Sequence, residues 1–368
     1  MNLTGIAAVA KTIRSLSIDA IQKANSGHPG LPLGCAELAA LLYGEILKHN
    51  PADAKWADRD RFVLSAGHGS MLLYSVLHLA GYNITLDDIK AFRTVGSTCP
   101  GHPEYGVTEG VENTSGPLGQ GIAVAVGMAM AETMLAAKYN TSAHKIVDHY
   151  TYVLVGEGCL EEGVSSEASS LAGHLKLGKL IAFYDENRIS IDGSTDITFT
   201  EDIAKRYEAY GWQVLTGDMY DVEGVAALVE KAKACADKPT LIMLKSIIGK
   251  FAPKQGTAKV HGEPLGEADV AETKKNLGLN PDEFFYEDSA ALSYFAEKKA
   301  AFAKRESDWK QEFDAWAKEN PALAKQWKAA FDGAADGEHT DPTYEIGAMV
   351  ATRTASGDMI SAMGLSHS

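Results

Sequence analysis

Cysteine is scarce, with four residues in a chain of 368. Cys35, Cys99, Cys159 and Cys235 stand apart without CxxC pairing, which argues against a zinc knuckle or a disulfide framework and fits a reducing cytoplasm. Positive charge is also in deficit, since 34 lysines and arginines against 49 aspartates and glutamates leave a net charge of −15. That field repels a polyphosphate backbone and gives no attraction to an anionic bilayer, so neither nucleic acid nor membrane is expected as a partner. No apolar run reads as long enough to cross a bilayer, and the N-terminal segment carries charges within a helical apolar spacing, so no signal peptide is evident. Internal repeats and low-complexity tracts are absent as well. What is there is 45% hydrophobic residues, enough for one large core plus a smaller appended element. A small phosphorylated ligand stays compatible with the charge if local donors hold it.

Leu3, Ile6, Ala10, Ile13, Leu16 and Ala20 recur every three or four residues and predict an amphipathic helix ending near Asn25. Short apolar runs at Arg61–Leu64, Tyr150–Val155, Leu180–Tyr184 and Leu241–Lys245 read as strands, and Ile122–Tyr139 and Asp202–Tyr210 read as helices between them. The alternation predicts an α/β fold with a doubly wound parallel sheet and helices on both faces. VLV at Val153–Val155 and LIAF at Leu180–Phe183 lack polar alternation, as strands buried on both faces do. Ligands of such sheets gather at the carboxyl ends of the strands. Beyond Pro281 long helical runs containing Trp309, Trp316 and Trp327 predict packing helices, Asp332–Pro342 reads as a linker, and a new helix is expected over Tyr344–Met363.

Two turns immediately follow predicted strands: GEG at Gly156–Gly158 and EN at Glu186–Asn187. A carboxylate and an amide oxygen meeting at one sheet edge suit a hard divalent cation, and the glycines let backbone approach a diphosphate that shares the ion. On its own, GEG is equally a tight strand-to-helix turn; Asn187 at its distance favours the site. Four further segments each set a histidine beside glycine: NSGHPGLPLG (Asn25–Gly34), LSAGHGSMLLY (Leu64–Tyr74), CPGHPEY (Cys99–Tyr105) and GTAKVHGEPLG (Gly256–Gly266). A glycine neighbour leaves the imidazole unobstructed toward a ligand. NTSGPLGQG at Asn113–Gly121 adds a Gly/Pro loop feeding a helix, which read alone is an ordinary helix start.

Together these stretches, with GEGCLEEGVSSEASSLAGHLKLGKL running on to YDENRISIDG, resemble the transketolase family over nearly the whole chain. The resemblance implies a thiamine-diphosphate-binding fold. Its metal ligands would be Glu157, Asn187 and the carbonyl of Ile189, holding Mg²⁺, with Ca²⁺ or Mn²⁺ as alternatives. His68, Gly116, Leu118, Gly158, Asn187 and His261 would bind the cofactor. His28, His102 and His261 would be catalytic and contact substrate, and Arg353, within IGAMVATRTASG, would bind substrate phosphate. The implied activity is transfer of a two-carbon ketol unit from a ketose phosphate to an aldose phosphate, in the pentose phosphate pathway, by a cytoplasmic homodimer with its site at the interface.

Three residues depart from the family pattern. Glu157 replaces an aspartate, Ala66 an asparagine and Phe251 a glycine. The expected organisation is a diphosphate- and metal-binding domain over 1–315, a helical segment and linker over 316–343, and the start of a pyrimidine-binding domain over 344–368. The family's activating glutamate has no counterpart here, so this polypeptide alone is expected to turn over little. The rival readings are another thiamine-diphosphate enzyme, such as a deoxyxylulose-phosphate synthase or a split dehydrogenase component, and a non-catalytic subunit that needs a partner chain.

Overall fold

The computed structural model describes residues 1–331 and 341–366. Five strands, β1 (Arg61–Leu64), β2 (Thr151–Val155), β3 (Leu180–Glu186), β4 (Gln213–Asp218) and β5 (Thr240–Lys245), form one parallel sheet in the order β1-β2-β3-β5-β4. The principal helices are α1 (Leu3–Ala24), α2 (Ser70–Ala80), α3 (Gln120–Tyr139), α4 (Gly163–His174), α5 (Val222–Lys233), α6 (Glu267–Asn276), α7 (Ser289–Glu319), α8 (Pro321–Phe331) and α9 (Thr352–Ser366). β2 is buried along its whole length and β3 up to its last residue, which is why neither sequence alternates.

β4 is the strand that periodicity did not reveal. It is an edge strand, paired only with β5, and its half-exposed QVLTGD lacks a continuous apolar run. The expected first helix forms as read: Asn2 caps it by accepting from the Gly5 amide at 3.0 Å, and Asn25 ends it in a left-handed turn at φ 48°. The helix expected over Tyr344–Met363 begins later, at Thr352. Gly347 at φ +91° and a turn closed by Ala348 N–H on the Glu345 carbonyl occupy the start of that stretch. The linker Asp332–Pro342 falls for the most part outside the described residues. α7 runs unbroken through the expected boundary at 315/316; Trp316 and Trp327 from α7 and α8 pack against Tyr139 at the end of α3.

One expectation needs correction. α3 is long and apolar enough, by length and composition, to cross a membrane. Its alanines and glycines hid that in the residue pattern, and one of its faces packs against β1, β2 and α4.

The strand register sets the position of the site. β2 and β3 are hydrogen-bonded neighbours with Val155 opposite Tyr184, so Gly156–Gly158 and Asp185–Asn187 leave the sheet side by side. β1 delivers His68 to the same edge and β5 delivers Ser246 and Ile248. The loop after β5 then returns to α1, where Phe251 sits at φ +74°. This left-handed conformation favours glycine, the residue that the family resemblance leads one to expect there. Phe251 is held by its amide on Gln255 Oε1 at 2.9 Å, by its carbonyl accepting from Asn276 Nδ2 at 2.8 Å, and by its ring lying 4.9 Å from the Arg14 guanidinium carbon.

The strain and the ring contact separate in two variants that both lose the ring. Phe251→Gly should be more stable than Phe251→Ala by about 1 kcal/mol, because only alanine keeps the left-handed penalty. Equal urea midpoints for the two would show that the backbone at 251 is unstrained.

Candidate active site

A cavity of about 350 Å³ opens at the carboxyl edge of the sheet. His28, His68, His102, Gly116, Leu118, Glu157, Gly158, Asn187, Ile189 and His261 all line it, so every candidate from the sequence except Arg353 converges on one place. Arg353 lies exposed on α9 and is not brought to the cavity.

The histidines form one cluster. The His28 ring centroid stands 5.2 Å from His68, 6.0 Å from His102 and 5.9 Å from His261, and His68 stacks on His261 at 5.0 Å. Two glycines make room for these rings. A Cβ on Gly262 would lie 3.2 Å from the His28 ring, and one on Gly116 would lie 3.3 Å from the His102 ring. Each glycine makes room for the histidine of another loop, so the loops interlock ring against backbone.

At the opposite wall Glu157 is buried, accepting from the Arg188 amide at 2.6 Å and from the Tyr184 hydroxyl. Burial pushes its carboxyl up to about 7, the nearby Asp185 and Glu186 charges add to this, and the two hydrogen bonds oppose it. Asn187 is oriented by two contacts at once: its Nδ2 donates to Asp185 at 3.0 Å and its Oδ1 accepts from the Ile189 amide at 2.9 Å. Both contacts demand the same amide orientation, which turns the oxygen away from Asp185. Asp185 is itself buried and takes a hydrogen bond from Ser246 Oγ. Sequence reading missed Asp185, although extended backbone puts residues two apart on one side and YDEN displays that spacing.

These residues suit a divalent cation bound together with a diphosphate. Among the described residues no three His, Cys, Asp or Glu side chains form a preassembled metal cluster. The expected set of one carboxylate, one amide oxygen and one backbone carbonyl would supply hard oxygen donors of the kind such a cation takes. Three acidic residues around one wall favour a cation, and His261 Nδ1 is buried with no hydrogen-bond partner among the described residues. Leu31, Leu118, Ile189, Ile191 and Ile248 give the cavity apolar walls able to hold a flat ring.

The four rings are held neutral. Burial first, then Arg93 and the neighbouring imidazoles, draw His28 down to about 4. Burial is likewise the largest cause lowering His68, His102 and His261. A histidine that binds its proton more weakly when folded leaves stability intact above its unfolded value of 6.5 and loses it as pH falls toward the folded value. The unfolding free energy of the wild-type chain should therefore decline relative to that of His28→Asn between pH 6.5 and about 4, and the two should run parallel above that window. Urea titrations across the range check this, and parallel curves throughout would mean His28 titrates normally.

The profile of the family described as transketolase, thiamine diphosphate binding domain, matches residues 6–336. The transketolase of Treponema pallidum is 60% identical over 362 residues, covering 97% of this chain and 55% of its own length. That of Geobacillus stearothermophilus is 52% identical over 357 residues, covering 96% of this chain and 53% of its own. Among solved structures, a Pichia stipitis transketolase in complex with sedoheptulose 7-phosphate superposes with a TM-score of 0.90 at 45% identity, covering 97% of this chain and 54% of that one. The Leishmania mexicana transketolase does so with a TM-score of 0.91 at 45% identity, covering 98% and 54%. The chain thus spans about half the length of the relatives it matches. With a parallel sheet that gathers these motifs at one edge, and with likeness of this extent, the chain belongs to the transketolase family and carries its thiamine-diphosphate-binding domain.

Proposed function

We propose that this chain holds thiamine diphosphate and a divalent cation in the histidine-lined cavity, as part of an enzyme that moves a two-carbon ketol unit from a ketose phosphate to an aldose phosphate. The observation that carries the reading is the convergence of Glu157, Asn187, Ile189 and four histidines on one cavity. Bound there, the cofactor supplies the nucleophilic carbon that a protein side chain cannot offer. The cation, Mg²⁺ with Ca²⁺ or Mn²⁺ as substitutes, is assigned to the Glu157 carboxylate, the Asn187 amide oxygen and the Ile189 carbonyl. One methylene longer than aspartate, Glu157 folds back on Tyr184 and the Arg188 amide, an accommodation within the same wall.

His68, His261 and the backbone of Gly158 are assigned to the diphosphate. Gly116 and Leu118 bound the flat part of the cofactor. His28, His102 and His261 face substrate hydroxyls, and as neutral imidazoles each can donate a hydrogen bond from one ring nitrogen and accept a proton at the other. Arg353 is assigned to substrate phosphate, where a guanidinium fork suits the oxygens. A second copy of the chain is the partner this reading requires. Val124 and Met134 on α3 and Ile191 at the cavity are exposed apolar side chains that such a partner would cover. The density of histidines favours ketol transfer over other thiamine-diphosphate chemistries.

Calorimetry with thiamine diphosphate and Mg²⁺ tests the binding. Heat should require both components, and Asn187→Ala should weaken binding by roughly 10-fold or more. In the whole protein His261→Ala should reduce ketol transfer by about 10²-fold or more. Absence of cofactor-dependent heat in the wild type would overturn the reading.

A further inference from the structure

Arg93 belongs to none of the motifs, yet it joins two of the loops that build the histidine cluster. Its backbone is left-handed at φ +61°, an uncommon state for a residue with a Cβ, and its amide donates to the Cys99 carbonyl at 3.1 Å. The side chain then crosses to the loop after α1. Nη1 donates to Ser26 Oγ at 2.8 Å, and Nη2 stands 3.4 Å from both His28 Nδ1 and the Gly101 carbonyl oxygen. Nε is buried without a partner among the described residues. A Cβ on Gly101 would lie 3.1 Å from Nε and 3.2 Å from Cζ, so this glycine lets the guanidinium lie flat against the loop that carries His102.

A guanidinium has donors and no acceptor. Whatever ring nitrogen faces it must offer a lone pair, and the nitrogen facing Arg93 is Nδ1 of His28. A neutral imidazole with a bare Nδ1 carries its proton on Nε2. Protonating Nδ1 would set two N–H groups and two positive charges against each other. Burial and the Arg93 charge both oppose that imidazolium. His261 has no such neighbour, and its lowered proton affinity comes from burial alone.

Resting on the ketol-transfer reading, we propose that Arg93 is a positioning residue that locks His28 in the Nε2–H tautomer, making His28 a hydrogen-bond donor to a substrate oxygen and leaving proton acceptance to His261. The catalytic work assigned to His28 and His261 then divides in two. One ring is held by a neighbouring cation as a donor, and the other keeps a free ring nitrogen.

Nitrogen NMR of the ¹⁵N-histidine-labelled chain at neutral pH reads the tautomer directly, with His28→Asn to assign the signal. The expected result is a protonated Nε2 and a bare Nδ1 for His28 in the wild type and in Arg93→Lys, and a mixed or reversed pattern in Arg93→Leu. A wild-type His28 carrying its proton on Nδ1 would overturn the proposal, and so would an Arg93→Leu spectrum unchanged from wild type. If Arg93→Leu fails to fold, the wild-type and Arg93→Lys spectra decide. In the whole protein Arg93→Leu should lower kcat by about 10²-fold, the scale of losing one aimed donor, with Arg93→Lys recovering part of it. The expected tautomer in a whole protein without ketol transfer would refute the functional reading while leaving the Arg93–His28 assignment standing. Full kcat in Arg93→Leu would overturn the donor role.

Discussion

The site depends on the parallel pairing of β2 with β3. With Val155 opposite Tyr184, the turns that follow these strands are forced to leave the sheet together, and a carboxylate and an amide 30 positions apart in sequence become neighbours on one wall. A slip of one residue would turn every side chain of the strand to the opposite face, so burial of both strands protects the site as much as the core. The remaining loops add to this fixed edge. β1 brings His68, β5 brings the segment leading to His261, and the loops after α1 and before Gly116 fold over from outside the sheet.

The second constraint is mutual packing among loops that have no regular structure of their own. Gly262 accommodates His28, Gly116 accommodates His102, and Gly101 accommodates Arg93. Each close approach links two loops, so the histidine cluster acts as a joint among segments distant in the chain. Phe251 belongs to the same logic. Its left-handed backbone is held by Gln255, Asn276 and the Arg14 guanidinium, which ties the His261 loop to α1 by a side chain.

What the sequence made legible was whatever is encoded locally. Gly156–Gly158 and Glu186–Asn187 could be placed because each follows an apolar run of buried-strand character, and the four Gly–His loops could be singled out because glycine beside histidine is visible in one dimension. β4 could not, since an edge strand needs no continuous apolar face. The start of α9 was misplaced because the periodicity of 344–351 gives no weight to the backbone conformation of Gly347. Asp185 and Arg93 stayed hidden for a deeper reason. Each acts through a residue it touches: Arg93 reaches His28 across 65 positions, a contact with no sequence signature, and Asp185 is marked only by the two-residue spacing to Asn187 in YDEN.

The two supporting residues also explain why the two walls behave differently. Asp185 accepts from the Asn187 nitrogen, which turns the amide oxygen to the other side, where it accepts from the Ile189 amide and keeps a second lone pair. Arg93 is a donor, and its Nη2 faces Nδ1 of His28; in the tautomer proposed above, the other ring nitrogen carries the hydrogen. In the proposed reading one wall would then present oxygens to a cation, and the other a hydrogen to a substrate oxygen. Asparagine and histidine are ambivalent side chains, each with a donating and an accepting end. Their use in this site follows from neighbours that can hydrogen-bond in only one sense, a carboxylate in one case and a guanidinium in the other. The chemistry offered to a ligand is thus set one layer behind the surface the ligand meets.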